Sequence, residues 1–129
     1  MEERDYIVKV AETSKELSKV ERISIKDVSN CIKLDEAINS TDTGKITIDV
    51  DYFAILDVHN EKARDDKDYK NYIIVDKDGT KFVTGSQSFW NAFMDISEEM
   101  EGEEFSIEVY SKPSKNYAGK YFLTCSIIA

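Results

Sequence analysis

From residue 46 onward, hydrophobic side chains recur with the period of two that is typical of β-strands, and no other feature constrains the fold as strongly. The alternation is clearest at 46–50 and 105–109, while the apolar runs at 52–59 and 120–128 are rich in residues that favour strands. The segment 69–84 is predicted to be a hairpin, because the Asp-Gly pair within it suits a two-residue turn. The chain beyond residue 45 is therefore predicted to be mainly β.

One amphipathic helix interrupts these strands. Apolar side chains follow the i, i+4, i+7 spacing from Phe89, so that one face of the segment is hydrophobic. Ser86 or Ser88 can cap its start, and Gly102 can end it just after Glu101. Because an aromatic stripe at helical spacing usually faces a core, we expect this helix to be packed against the strands.

The order of the elements predicts an α+β fold that is mainly β, with one main helix. A helix between the third and fourth of five strands is the layout of the OB-fold, a partly open five-stranded barrel. We therefore expect an OB-like domain at 46–129 and an N-terminal extension, 1–45, packed on the barrel. A split α+β sandwich is the alternative, because element order alone does not establish that a barrel closes.

The N-terminal extension has weaker signals. Ser14 is predicted to cap a short helix that runs through Val20. The alternating segment 22–26 suits a short strand, and its uncovered edge would allow subunits to pair as a homo-oligomer. The segment 30–39 fits neither the helical nor the strand period, so its secondary structure is ambiguous.

The charge of the chain limits the classes of partner. The 129 residues carry a net charge of −9, which opposes phosphate binding unless basic residues are grouped. Six acidic residues and no basic residue fall within 95–104, whereas 105–129 holds three lysines against one glutamate. A basic face at the C-terminal end is therefore compatible with the acidic total.

Several function classes lack their sequence signatures. The phosphate-binding, nucleophile-elbow, metalloprotease and dinucleotide motifs are absent, so we predict a non-enzymatic protein without a cofactor. Two cysteines and one histidine cannot supply a usual zinc set, and Asp49, Asp51 and Asp57 are expected to face solvent rather than hold Mg²⁺. His59 is expected to be a hydrogen-bonding residue rather than a catalyst. No apolar run approaches the ~20 residues of a membrane span, and the N-terminus shows no secretory signal.

The strongest local feature is the segment 110–122, which contains lysines and aromatic residues but no acidic residue. Aromatic faces can stack on unpaired bases while lysines contact the phosphates, which is what sequence-tolerant binding of a single strand requires. A solvated hairpin is the alternative interpretation. The candidate binding residues here are Lys112, Lys115, Tyr117, Lys120 and Tyr121.

A second candidate wall lies between residues 59 and 72. OB-folds bind oligonucleotides with the two loops that correspond here to 60–70 and 111–119, so we expect a groove between them. Basic and acidic residues are interleaved in this segment, and a salt-bridged, solvated loop is the alternative. The candidate residues are Lys62, Arg64, Lys70 and Tyr72.

Four segments carry a resemblance to a known group: VHNEK at 58–62, NYIIVDKDG at 71–79, VTGSQSFW at 83–90 and KPSKNYAGK at 112–120. With these segments the chain resembles small bacteriophage proteins described as single-stranded DNA-binding or accessory replication proteins. The resemblance implies a phage protein that acts in the cytoplasm of its bacterial host, with phage or host replication proteins as further partners. The acidic residues depart from the usual pattern of such proteins, since they are internal rather than in a C-terminal tail.

Together these observations predict an OB-fold protein that binds single-stranded DNA with little sequence preference, in phage replication or recombination. The alternative is a protein-interaction module, such as an inhibitor of a host or defence protein. In that case the acidic segment 95–104 would mimic DNA on a basic partner.

Overall fold

The computed structural model describes residues 6–62, 64, 67–114 and 119–128, which form a mixed α+β fold built mostly of strands. The strands are β1 (Tyr6–Thr13), β2 (Ile32–Lys33), β3 (Ile46–Asn60), β4 (Asp68–Asp76), β5 (Lys81–Thr84), β6 (Ser106–Pro113) and β7 (Tyr121–Ile127). The helices are α1 (Lys19–Lys26), α2 (Leu34–Asn39) and α3 (Gln87–Glu99), and a single 3-10 turn covers Val28–Asn30.

The strands form one curled, open sheet in the order β2-β5-β4-β3-β6-β7. The β2–β5 pair is parallel and the other pairs are antiparallel. β1 also pairs with β3, beside the stretch that contacts β6, so one edge of β3 serves two strands in succession. β3 is therefore the central strand of the sheet.

A β-bulge divides β3 into two parts, and the first core receives even-numbered side chains such as Val50 before it and odd-numbered ones such as Phe53 after it. The register with β4 shifts between Val50 and Tyr52, and an extra residue at that point reverses which side chains face each core. Val50 lies in one core and Tyr52 in the other. The two strands predicted at 46–50 and 52–59 are thus one strand, and the break in the apolar pattern between them marks the bulge.

Two hydrophobic cores lie on opposite faces of the sheet. α3 covers one face through Phe89, Trp90 and Phe93, whereas α1 covers the other through Ile25. The first core consists of Leu34, Ile38, Ile48, Val50, Phe53, Tyr72, Ile74, Phe89, Trp90, Phe93, Ile107, Val109, Leu123 and Cys125. The second consists of Leu17, Ile25, Tyr52, Ala54, Leu56, Ile73, Val75 and Val83.

The sheet does not close into a barrel within the described residues. The outer edge of β5 pairs with β2, where Ile32 and Lys33 lie opposite Phe82 and Val83. β7 pairs with β6 alone in this part of the chain, and the hydroxyl of Ser88 in α3 donates to a β7 carbonyl, that of Leu123, at 3.0 Å. The edges that would meet in a closed barrel are therefore occupied by β2 on one side and contacted by α3 on the other.

Two expectations for the N-terminal region are wrong. The segment 22–26 is not a strand, and the helix does not run from Ser14 to Val20; instead, α1 spans Lys19–Lys26. Ser18 and Glu21 form a capping box, in which each side chain accepts a hydrogen bond from the other residue's backbone N–H. These hydrogen bonds fix the helix start four residues later than expected and place the alternating 22–26 segment inside the helix.

The helix cap at Ser86 is confirmed, and the turn between β4 and β5 lies where predicted but is longer. The side chain of Ser86 accepts the backbone N–H of Phe89 at 3.2 Å, so the helix begins at one of the two caps that the sequence indicated. The turn has three residues, 77–79, rather than the predicted two, because the N–H of Asp76 donates to the Thr80 carbonyl at 2.8 Å and Gly79 adopts φ of +92°. Glycine suits this position because other residues rarely adopt a positive φ.

Candidate nucleic-acid interface

The β6–β7 hairpin presents lysines and aromatic side chains on its outer face. Lys112 lies opposite Phe122 in the strand register, and Tyr110 is two residues before Lys112 on the same face. The Nζ atoms of Lys45 and Lys112 both lie 5.8 Å from the centre of the Tyr110 ring. We call the surface formed by Lys45, Tyr110, Lys112 and Phe122 the hairpin face.

Strand alternation explains this arrangement. Ile107 and Val109 are fully buried in the first core, so Tyr110 and Lys112 occupy positions that alternate with the buried ones. Ile46 pairs with Val109, which places the preceding residue, Lys45, beside Tyr110. Tyr110 is further fixed, because its hydroxyl lies 2.6 Å from the Ser126 hydroxyl.

Lys45, Tyr110 and Phe122 are not among the site residues predicted from the sequence. The two-residue period and the hairpin register would have indicated that Tyr110 and Phe122 share a face with Lys112. Lys45 could not have been found in this way, since its position depends on the pairing between β3 and β6. A salt bridge of 3.5 Å to Glu108 offsets part of its charge.

The inner side of the same hairpin borders a groove of about 610 Å³. Tyr121 lines this groove and is 69% exposed, the most exposed aromatic side chain in the described part of the protein. The opposite wall includes Ile38 of α2, with Ser86 and Ser88 at the start of α3. We call this the hairpin groove. Lys120 is exposed and immediately precedes Tyr121, the first residue of β7.

The predicted hairpin residues are described only in part. Lys112, Lys120 and Tyr121 are all exposed, as a binding role requires. Lys115 and Tyr117 lie outside the described residues. The described part of the hairpin thus offers two lysines from the predicted set, together with Lys45 on the hairpin face.

The second predicted wall is not next to the hairpin, and the expected groove between the two loops is wrong. β6 pairs with residues 46–49, at the start of β3. Beyond this pairing, β6 continues away from the rest of β3 to the tip of the β6–β7 hairpin. The loop that carries Lys62 and Arg64 follows Asn60, at the other end of β3. Between them lies β3, which is about 45 Å long when measured along the chain and is bent at the bulge. The two sets of basic residues therefore lie at opposite ends of β3.

Ion pairs occupy much of this far loop and of the strand ends beside it. Lys70 donates to Asp57 at 2.5 Å, and Lys67 contacts Glu61 at 3.1 Å. His59 lies between two carboxylates, with Nδ1 2.7 Å from Asp68 and Nε2 2.7 Å from Glu61. These hydrogen bonds, that to Asp68 first, raise the pKa of His59 above its usual value. The arrangement matches the alternative of a salt-bridged loop, and His59 is a hydrogen-bonding residue there.

Tyr72 is not a surface residue, so its assignment to the interface is corrected. The side chain is 5% exposed, and its ring stacks on Trp90 with the centroids 4.5 Å apart. Its hydroxyl donates to the side-chain oxygen of Gln87 at 2.8 Å. On β4 Tyr72 alternates with Ile73, and the two side chains are buried in opposite cores.

The described ranges contain neither a metal-binding cluster nor a membrane-spanning helix. No group of three or more His, Cys, Asp or Glu side chains in them has a geometry that could hold a metal ion. None of the helices described is long and apolar enough to cross a membrane.

Comparisons with protein-family models, with curated proteins and with solved structures find no match to this chain.

Proposed function

We propose that this protein binds single-stranded DNA with little sequence preference, using the hairpin face and the hairpin groove. The observation that carries the proposal is the exposure of Tyr121 and Phe122 on a strand that begins beside Lys112 and Lys120. Adjacent residues of a strand point to opposite sides, so the two rings give each side of the hairpin an aromatic surface.

The chemistry of this surface suits a single strand rather than a specific duplex sequence. A base stacked on an exposed aromatic ring contributes ~1–3 kcal/mol whatever its identity, because every base has a π face. Lys45, Lys112 and Lys120 would contact the phosphates as point charges. A duplex hides the faces of its bases, so it can use the lysines but not the rings.

One acidic residue, Asp35, lines the hairpin groove, whereas the acidic segment 95–104 is centred at the far end of α3. α3 begins beside the hairpin groove and ends within the acidic segment, and its 13 residues span about 20 Å. At physiological ionic strength the screening length is about 8 Å. The carboxylates beyond the end of α3 would therefore have little effect on phosphates held at the hairpin.

We also propose that the sheet is an OB-type sheet that has been opened. Strands β5, β4, β3, β6 and β7 follow one another in the order expected for an OB barrel, and β2 lies where β5 would meet its closing partner. A role in phage replication or recombination, in the host cytoplasm and with phage or host replication proteins as partners, belongs to the same proposal. It rests on the resemblance of the four sequence segments.

Two matched variants test the proposed site. One replaces the hairpin lysines Lys112, Lys115 and Lys120 by Ala, and the other replaces Lys62, Arg64 and Lys70, which removes the same charge at the far end of β3. Binding of a labelled oligonucleotide of about 30 nucleotides is followed by fluorescence anisotropy at several salt concentrations. We expect wild type and the far-loop variant to bind alike, and the hairpin variant to bind more weakly with a salt slope reduced by about 2.

Other outcomes would contradict the proposal at different levels. Equal weakening by both variants would mean that binding follows total charge, which rejects the hairpin as the site. Failure of the wild-type protein to bind at low salt, where phosphate contacts are strongest, would reject single-strand binding itself.

A second candidate function is a protein-interaction module or an inhibitor of a host or defence protein, whose acidic surface mimics DNA. The observation that favours it is a group of exposed carboxylates around one groove near the end of α3. Host proteins captured from a lysate by the immobilised chain should then be eluted by duplex DNA. If duplex DNA does not release the captured proteins, the proposal that the acidic surface mimics DNA is contradicted.

A further inference from the structure

The groove near the end of α3 lies where two strands meet the same edge of β3. Pairing of β1 with β3 ends at Ala54, pairing of β6 begins at Asp49, and the bulge of β3 lies between them. This interruption of the sheet opens a groove of about 590 Å³, bounded on its other side by the end of α3 and the residues that follow it. We call it the acidic groove.

The floor of the acidic groove is apolar. Met94, Met100 and Phe105 line it and are partly exposed, while Val50 and Phe53 lie beneath them as part of the first core. Methionine side chains are flexible and polarisable, so they adapt to apolar side chains of different shape. The floor therefore suits contact with hydrophobic residues.

The rim of the same groove is strongly acidic. Six exposed carboxylates line it, whereas the one basic residue among the described lining residues, Lys77, is paired with Glu104 at 3.0 Å. The side chain of Glu104 remains 85% exposed. The six carboxylates are those of Glu12, Asp51, Glu98, Glu101, Glu103 and Glu104.

The rim is held in place by the backbone. Gly102 adopts φ of +84°, and the N–H of Glu103 donates to the Met100 carbonyl at 2.9 Å, which closes a turn just after α3. On the facing side, the N–H of Lys77 donates to the Asp49 carbonyl at 2.9 Å. The backbone that carries Glu101, Glu103 and Glu104 is thus fixed beside the groove, which lowers the backbone entropy lost when a ligand binds.

We propose that the acidic groove binds an amphipathic segment of a partner protein, with apolar side chains on one face and Lys or Arg residues along its borders. Charge complementarity favours a basic segment over the other possible ligands of the groove. Nucleic acid would be repelled by the rim, and a second copy of this chain would bring a further net charge of −9. A basic amphipathic segment matches both the apolar floor and the acidic rim, which is how helices dock in hydrophobic grooves.

This inference does not depend on binding of DNA. The hairpin and the acidic groove lie at opposite ends of α3, so one chain could hold a single strand at one end and a basic partner at the other. The two proposals can therefore fail separately.

The methionines provide a direct probe of the groove. The chain has three methionines, and two of them, Met94 and Met100, line the groove. The probe is a peptide of about 14 leucine and lysine residues at amphipathic helical spacing. Added to protein labelled with 13C at the methionine methyl groups, it should shift the Met94 and Met100 resonances and saturate them. A peptide of the same composition, scrambled so that no face is apolar, should bind at least about 10-fold more weakly.

Matched variants separate the groove from total charge. Replacing Glu98, Glu101 and Glu103 by Gln should weaken binding of the peptide about 10-fold or more. The control variant changes three exposed acidic residues outside the groove, and its affinity for the peptide should change less than about 2-fold. Its substitutions are Glu16→Gln, Glu36→Gln and Asp42→Asn. Equal weakening by the two variants, equal binding of the scrambled peptide, or unshifted Met94 and Met100 methyl groups would each overturn the proposal.

Discussion

The ring of Tyr72 stacks on the indole of Trp90, with the centroids 4.5 Å apart and the planes 13° from parallel. This contact joins β4 to α3. Phe53 extends it, since its ring meets the indole edge-on at 5.4 Å. The aromatic residues between the sheet and α3 therefore form one packed group, which includes a tyrosine that the sequence pattern also allowed at the surface.

Truncation of Tyr72 should accordingly destabilise the fold. We expect Tyr72→Ala to lower the free energy of unfolding by about 3–5 kcal/mol, because it leaves a cavity beside Trp90. Tyr72→Phe retains the stack and loses only the hydrogen bond to Gln87, so it should lower that free energy by about 0.5–1.5 kcal/mol. Denaturation followed by the emission of Trp90, the only tryptophan, measures both values. An equal effect of the two substitutions would contradict this role for the ring.

Tyr121 should behave in the opposite way, affecting binding and not stability. Tyr121→Ala should weaken single-strand binding about 5- to 150-fold, equivalent to the ~1–3 kcal/mol of one stacked base. Tyr121→Phe keeps the ring and should bind like the wild type. Both variants should melt within a few degrees of it, since the side chain is largely exposed. Anisotropy titrations and thermal melts make the comparison, and unaltered binding by Tyr121→Ala would remove the ring from the site.

The His59 interaction should stabilise the fold in a defined pH range. Hydrogen bonds to the carboxylate of Asp68, and then to that of Glu61, raise the folded-state pKa of His59 above its unfolded value near 6.5. A raised pKa means that the stabilisation is fully present below pH 6.5 and is lost as the pH rises through the folded-state pKa. NMR titration of the imidazole should show a pKa above 6.5 that falls in Asp68→Asn. A pKa that does not change in that variant would show that the carboxylate is not the cause.

The two cysteines should differ in reactivity. Burial raises the pKa of the Cys125 thiol to about 12, so only about one molecule in 10⁴ carries the thiolate at pH 8. Cys31 is half-buried, and desolvation also raises its pKa. A thiol-specific reagent at pH 8 should modify Cys31 first and Cys125 at least about 100-fold more slowly than a free thiol, with both equal in denaturant. Rapid modification of Cys125 in the folded protein would contradict its burial.

Local signals in the sequence determined several elements of this fold. The two-residue period at 46–50 and 105–109 and the apolar run at 52–59 specified strands. The apolar stripe from Phe89 specified α3, and the Asp-Gly pair specified the position of the turn between β4 and β5. The lysines of the hairpin were also visible, because a hairpin brings residues near in sequence together in space. These features depend on interactions within a few residues, which a single sequence contains.

The tertiary structure decided which distant segments meet. Pairing of β6 with the start of β3, and not with its end, separated the hairpin from Lys62 and Arg64 and brought Lys45 to Tyr110 instead. β2 took the edge of β5, which left the sheet open. A two-residue period shows that a strand has two faces, but not which face is buried or which edge finds a partner. That choice depends on the total burial and hydrogen bonding of the whole sheet, and it is why Tyr72 faces inward and stacks on Trp90.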